Sequence, residues 1–372
     1  MIKNELHYQI AVGLLDGIGV RTAKNLIAHF GGVKPIFELP IKKLGKEIPG
    51  FSKQRLMSLN RTEALRKAED QLNFILKYDL GAHFYLDESY PYRLKNCVDA
   101  PIVLFTKGDF NLNPVRTVAV VGTRQATDYG KRITEELIAQ LVPYGVQVVS
   151  GLAFGVDGIA HRAALNNGLP TLGVLAHGLD RLYPSQHKSI VNKMLDNEGG
   201  LITEFLVGTN PDRENFPKRN RIVAGMTDAT IVIESGKSGG SMITANLAND
   251  YNRDVFAYPG SVFQPFSAGC NQLIGQHKAH LVTEPKQIVE MLGWKLTSKK
   301  EKKGVVQRKL FPDLNLDETE IVEVLQKNEM LSIDQLSDFL KKKVSQLNMH
   351  LLNLELIGVV ASLPGKNYKI VQ

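Results

Sequence analysis

From about residue 115 the chain repeats one texture: an apolar run, a glycine turn, then apolar positions at helical spacing. TVAVVGTR (117–124) predicts a buried strand entering a turn, with Thr127 or Asp128 as N-cap of the next helix. VQVVSGLAFGVDGIAHRAAL (146–165), TLGVLAHGLDRLYP (171–184), ATIVIESGKSGGSMITANLA (229–248) and DVFAYPG (254–260) repeat the scheme. Apolar strands alternating with helices predict an α/β fold with a parallel sheet covered on both faces. Ligands of such sheets gather at the carboxyl ends of the strands, so the loops beginning at 122, 151, 176 and 234 are expected on one rim.

The two ends have a different pattern. LLDGIGVRTAKNLIAHFGG (14–32) places Gly17, Ile18 and Gly19 before Ala23, Leu26, Ile27 and Phe30 at helical spacing, as in a helix-hairpin-helix. Such a hairpin either offers backbone N–H groups to a phosphate or packs on its neighbour without touching DNA. IPGFSKQRL (48–56) reads as a weaker second copy. Near the other end, helices are predicted over 317–327, 332–340 and 344–354. IGVVASLPGKNYKIV (357–371) then gives two short strands about a Pro-Gly turn, the wing of a winged helix. That module serves either duplex DNA or a protein partner, and Lys341, Lys342 and Lys343 favour nucleic acid.

Bulk numbers narrow the class. A chain of 372 residues, 43% apolar and 22% charged, suits two or three globular domains. No apolar run reaches the roughly 18 residues of a membrane span, and the N-terminus carries no signal-peptide pattern. Cys97 and Cys270 form neither a disulfide framework nor a zinc pattern, so a reducing, cytoplasmic setting is expected. The net charge is +7, and residues 295–312 supply seven Lys/Arg against one Glu. That run is either a solvated tether or an electrostatic attractor for nucleic acid. The expected division is 1–80 helical, 81–294 α/β, 295–315 linker and 316–372 winged helix.

Gly236-Lys237-Ser238 looks like the end of a Walker A loop. The first glycine of that motif would fall on Ile231, in mid-strand, and no GxGxxG is present. ATP-hydrolysing and nicotinamide readings are thereby excluded. Gly236, Gly239 and Gly240, with Ser238 and Ser241, still form a nest of backbone donors for some other anion. In NFPKRNRIVAG (215–225), Pro217 opens a helix whose first turn carries Lys218, Arg219 and Arg221 against the helix dipole. Either an external polyanion compensates them, or Glu214 or Glu204 pairs with them internally. Phe216 is equally suited to stacking on a base and to the core. Arg124 adds a cation to the same rim. About four charge contacts with single-stranded nucleic acid imply a slope of log affinity against log salt near −3.

Catalytic patterns are absent from this set. Asp157 and His161 share a helix face, but a buried structural pair explains them better than a metal or acid–base site. His177 and Asp180 are isolated, and no GxSxG elbow exists. The expectation is a binding protein with no catalytic residue, metal or cofactor.

VAVVGTR, SGLAFGVDGIAHRAAL, LAHGLDRLYP, FPKRNRIVAG, SGGSMITANLA and AYPGS, in this order over residues 117–285, closely resemble the DprA/Smf (DNA-processing protein A) family. The resemblance implies a Rossmann-like sheet core, an N-terminal helical SAM-like domain and a C-terminal winged-helix (DML1-like) domain. It further implies sequence-independent binding of single-stranded DNA, its protection during natural transformation, delivery to RecA, and a homodimer. Carried over by motif, the DNA groups are Gly122, Thr123 and Arg124, then Phe216, Lys218, Arg219, Asn220 and Arg221, then Lys237, Ser238, Gly239, Gly240 and Ser241. The family's YP turn often continues with a lysine; here Ser185 follows, and Lys188 stands in for it. The match over 267–282 implies a dimer surface at Cys270, Asn271, Leu273 and Ile274. Two rivals remain. One is a LOG-like nucleoside monophosphate phosphoribohydrolase, whose catalytic glutamate would fall on Ala245; the other is a protein-binding adaptor.

Overall fold

A computed structural model describes residues 2–40, 59–296, 315–328, 330–357, 359–363 and 367–370. The predicted second hairpin copy (48–56) and most of the basic linker lie outside the described residues. The chain forms two compact units, residues 1–298 and 299–372.

The first unit is built on a nine-stranded sheet of β1 (Gly81–Phe84), β2 (Val103–Lys107), β3 (Thr117–Val121), β4 (Gln147–Ser150), β5 (Thr171–Val174), β6 (Gly200–Thr203), β7 (Ala229–Val232), β8 (Asp254–Ala257) and β9 (His280–Leu281). Spatial order is β1-β2-β6-β5-β4-β3-β7-β8-β9. β3 through β7 are buried along their whole length, which is why they read as continuous apolar runs. The strands predicted after residue 115 pair parallel, and β1 and β2, which precede them, join the edge antiparallel, β2 against β6. Apolar patterning reports burial, and strand direction leaves no mark on it. From β3 the chain steps outward through β4, β5 and β6, then returns to lay β7 on the other side of β3. That reversal opens a crevice above the carboxyl ends of β3 and β7.

Among the described residues, the helical N-terminal segment shares its hydrophobic cluster with the sheet. Ile10, Ala23, Leu26, Ile27 and Ile36 cluster with Phe84, Ile102, Val103 and Phe105 of the β1–β2 edge. The described N-terminal helices thus pack as a layer on the β1–β2 edge. Gly17, at φ 71°, makes the predicted hairpin between helices Ile2–Val12 and Val20–Phe30.

In the second unit, helices Leu316–Lys327, Ile333–Leu340 and Val344–Leu356 pack on a sheet of β10 (Leu331–Ser332), β11 (Val360–Leu363) and β12 (Asn367–Ile370), in order β10-β12-β11. The Lys342 ammonium is held by Asp317 and Glu320. One of the three lysines that pointed to nucleic acid is thus internally paired. Helix Val344–Leu356 contains neither lysine nor arginine.

A buried arginine and a partly buried aspartate anchor the sheet. Arg93, 3% exposed, donates through Nε and Nη2 to Asp228 at 2.6 and 3.0 Å, and through its two terminal nitrogens to the carbonyls of Pro114 and Val115. Asp228 also accepts from Thr117 N at 2.9 Å, which joins the starts of β3 and β7. Removing one partner strands a charge in the interior: Asp228→Ala should lower unfolding free energy by about 3–5 kcal/mol in a denaturant titration.

Asp157 and His161 lie on one helix face as the spacing suggests, but they face different partners. Asp157 accepts from the backbone N–H groups of Gly151 and Ala153, which shapes the turn after β4. His161 is wholly buried, 2.7 Å from Thr171 Oγ1, and burial pushes its pKa down from an ordinary 6.5 to about 3. Below pH about 6.5 the unfolded chain binds a proton that the folded imidazole refuses. Stability should therefore fall as pH drops through that window, by up to ~1.4 kcal/mol per pH unit from this group. His161→Asn should reduce the slope of unfolding free energy measured between pH 7 and 5.

Candidate nucleic-acid interface

The crevice at the strand-order reversal holds a cavity of about 310 Å³. Its walls are the turn after β3 (Gly122–Arg124), the turn after β4 (Gly151, Ala153, Asp157), helix Asn215–Gly225, and the Ser235–Ser241 loop after β7. Three of the four loops expected on one rim converge there. The fourth, after β5, reaches an annex lined by Arg124, Phe154, Tyr183, Pro184 and Phe216.

Close backbone approach sets the two turns. Gly122 abuts Val156 and the Glu234 carbonyl, where a Cβ would meet Val156 Cγ2 at 2.5 Å. Val156 N donates to Thr123 O at 3.2 Å, and Thr123 Oγ1 accepts from Gln125 N at 3.1 Å. Arg124 is thereby projected outward, exposed, with its guanidinium 5.2 Å from the Phe216 ring centre. Thr127 is the N-cap of the following helix, as expected.

Helix Asn215–Gly225 separates its cations by direction. Arg219 turns inward at 4% exposure and donates to the carbonyls of Gly151 and Val174 and, through Nε, to Asn220 Oδ1. Burial pushes its pKa down to about 10, while Asp157 opposes the shift, so the group stays charged at neutral pH. Arg221 lies sideways and bonds Glu204 and the Asp99 carbonyl. The internal ion pair with Glu204, one of the two sequence readings, is thus realised for Arg221, and this side chain does not line the cavity. Lys218 alone of the three is exposed. Phe216, half-buried, lies 5.9 Å from the Arg219 guanidinium and 6.2 Å from Tyr183, ring centre to ring centre.

On the opposite wall, Ser238, Gly239 and Gly240 are exposed and lead into helix Gly240–Asp250. Gly239 is its N-cap and provides no side-chain hydrogen bond, so the first N–H groups and the positive dipole end face the cavity. Asn220 Nδ2 donates to Gly240 O at 3.1 Å and Ser241 Oγ bonds Ser235 Oγ at 2.8 Å. These two side chains brace the walls. Lys237 is exposed on the loop, and Lys188, exposed at the start of helix Lys188–Leu195, lines neither cavity nor annex.

Phe154 and Tyr183, 41% and 45% exposed, were missing from the sequence-derived set. An aromatic between glycines in GLAFG and one before proline in YP were the available signals. Of the expected dimer residues, Cys270 and Leu273 point into the subunit core, whereas Asn271 and Ile274 keep some surface. Ala245, where the hydrolase reading needs a glutamate, is fully buried. Among the described residues no group of three or more His, Cys, Asp or Glu could hold a metal, and no helix is long and apolar enough to cross a membrane.

Residues 82–293 match the family model of DNA recombination-mediator protein A, and residues 310–366 match that of the DprA winged helix domain. Protein Smf of Synechocystis sp. is 30% identical over 99% of this chain and 100% of its own length. Protein Smf of Escherichia coli is 34% identical over 75% of this chain and 74% of its own. The X-ray structure of DNA processing protein A from Streptococcus pneumoniae superposes with a TM-score of 0.65 at 31% identity, covering 78% of this chain and 99% of that one. DNA processing protein A from Helicobacter pylori, whose structure addresses its single-stranded DNA binding mode, gives a TM-score of 0.53 at 28% identity over 59% of this chain and 98% of that one. With more than half its length in the first of these models, the chain belongs to the DNA recombination-mediator protein A family, the DprA/Smf proteins.

Proposed function

We propose that the rim cavity grips single-stranded DNA without reading its sequence and makes or breaks no bond. The observation that carries this reading is the composition of the rim. Arg124 lines the cavity, Lys218 and Lys237 are exposed on the segments that flank it, and none of the three makes an ion pair within 4 Å among the described residues, beside an uncapped helix N-terminus and exposed aromatics. Cations and bare N–H groups suit phosphates, and Phe216, Tyr183 and Phe154 suit unpaired bases, which duplex DNA keeps stacked inside. Asp157, the one carboxylate on the cavity wall among the described residues, accepts from two backbone donors. The single-stranded DNA bound by the Helicobacter pylori relative supports the same ligand here. Family membership supports a place in DNA processing, and we extend it to delivery of the strand to RecA by a homodimer during natural transformation.

Arg124→Ala should weaken oligo-dT binding about tenfold, the loss of one charge-assisted contact, with an unchanged melting temperature because the side chain is exposed and unpaired. Phe216→Ala should cost about 1–3 kcal/mol of binding. Wild-type affinity in both variants, measured by fluorescence anisotropy, removes the proposed site. Neutralising Lys299, Lys300, Lys302 and Lys303 together should matter less than Arg124→Ala; the reverse ranking assigns the strand to the basic run.

A further inference from the structure

Glu234 follows β7 by two residues and is 3% exposed, yet no ion pair to it occurs among the described residues. Its carboxylate is satisfied instead at the start of helix Asp128–Leu141. Oε2 accepts from Thr127 N at 2.9 Å and Oε1 from Thr127 Oγ1 at 2.7 Å. Gly130, in the first turn of that helix, lies so close to Oε2 that any Cβ there would overlap the carboxylate. The Glu234 backbone carbonyl accepts from Thr123 N at 2.7 Å, so one residue holds both ends of the Gly122–Thr127 connection. This connection is the turn after β3, at the reversal of strand order, where sheets of this architecture commonly receive a ligand's phosphate on a helix N-terminus.

We propose that Glu234 is a built-in anion. It is a positioning residue that fills the phosphate place of its own fold, fixes the turn bearing Arg124, and closes that place to free nucleotides. DNA phosphates are left to the outer donors, Arg124 and the Ser238–Gly240 loop. The first half stands on the geometry alone; the consequence for DNA rests on the function proposed above. The glycine at 130 fits this account, since a side chain there would push the carboxylate off its donors.

Small-anion rescue tests it. Glu234→Ala removes the carboxylate and leaves a space of acetate size beside unpaired N–H and O–H donors. Melting temperature and oligo-dT affinity are measured for wild type, Glu234→Ala and Glu234→Gln as acetate replaces chloride at constant ionic strength. Wild type and Glu234→Gln, in which the place stays filled, should not respond to acetate. Glu234→Ala should melt lower, bind oligo-dT about tenfold more weakly, and recover part of both with acetate. Wild-type affinity in Glu234→Ala, or no recovery of melting with acetate, overturns the proposal. If Glu234→Ala folds in neither salt, Gly130→Ala decides: a several-fold weaker affinity supports the proposal and an unchanged one overturns it. Acetate-dependent melting is read without DNA. Failure of wild type to bind oligo-dT therefore sinks the DNA reading alone, whereas melting rescue with unaltered affinity overturns the positioning role.

Discussion

A guanidinium buried beneath the sheet rim is the contact on which the arrangement of the site depends. Arg219 reaches from helix Asn215–Gly225 to the carbonyls that end β4 and β5. Taking such a charge out of water costs several kcal/mol unless hydrogen bonds and a nearby opposite charge offset it. The carbonyls, Asn220 and the field of Asp157 supply the offset. The helix is thereby pinned at one distance from the sheet. Phe216 and Lys218 then face outward, and Asn220 reaches Gly240 and sets the opposite wall. The cavity is the gap that this bracing leaves at the point where strand order reverses.

The rim separates two kinds of polar residue. Arg219, Asn220 and Ser241 spend their hydrogen bonds on the protein; Arg124, Lys218, Lys237 and the bare N–H groups of the Ser238–Gly240 loop do not. A chain of phosphates needs several weak, repeated contacts along a lip, and in the proposed function that task falls to the second set. The cavity itself has the size to accept one projecting group from such a chain. On the cavity wall Asp157 is held by backbone amides, and Ala245, behind it, is a buried methyl.

Much of this was legible in the sequence because it rests on local rules. Buried strands read as apolar runs and Thr127 reads as a cap. What failed depends on direction. Apolar β2 looks the same whether parallel or antiparallel, so the antiparallel edge of the sheet carries no signature in the sequence. Lys218, Arg219 and Arg221 look alike in sequence, but successive 100° turns send one to solvent, one into the core and one to Glu204. Cys270 and Leu273 fall within a familiar segment yet face inward. Phe154 and Tyr183 come to the rim from two separate loops, a meeting that only the folded chain reveals.

The most direct measurement is an equilibrium titration of single-stranded and duplex oligonucleotides of equal length across a salt series. The account predicts tighter binding of the single strand and a slope of log affinity against log salt of about −2, as three rim cations require. Equal or stronger binding of duplex, or single-strand affinity indifferent to salt, would contradict it.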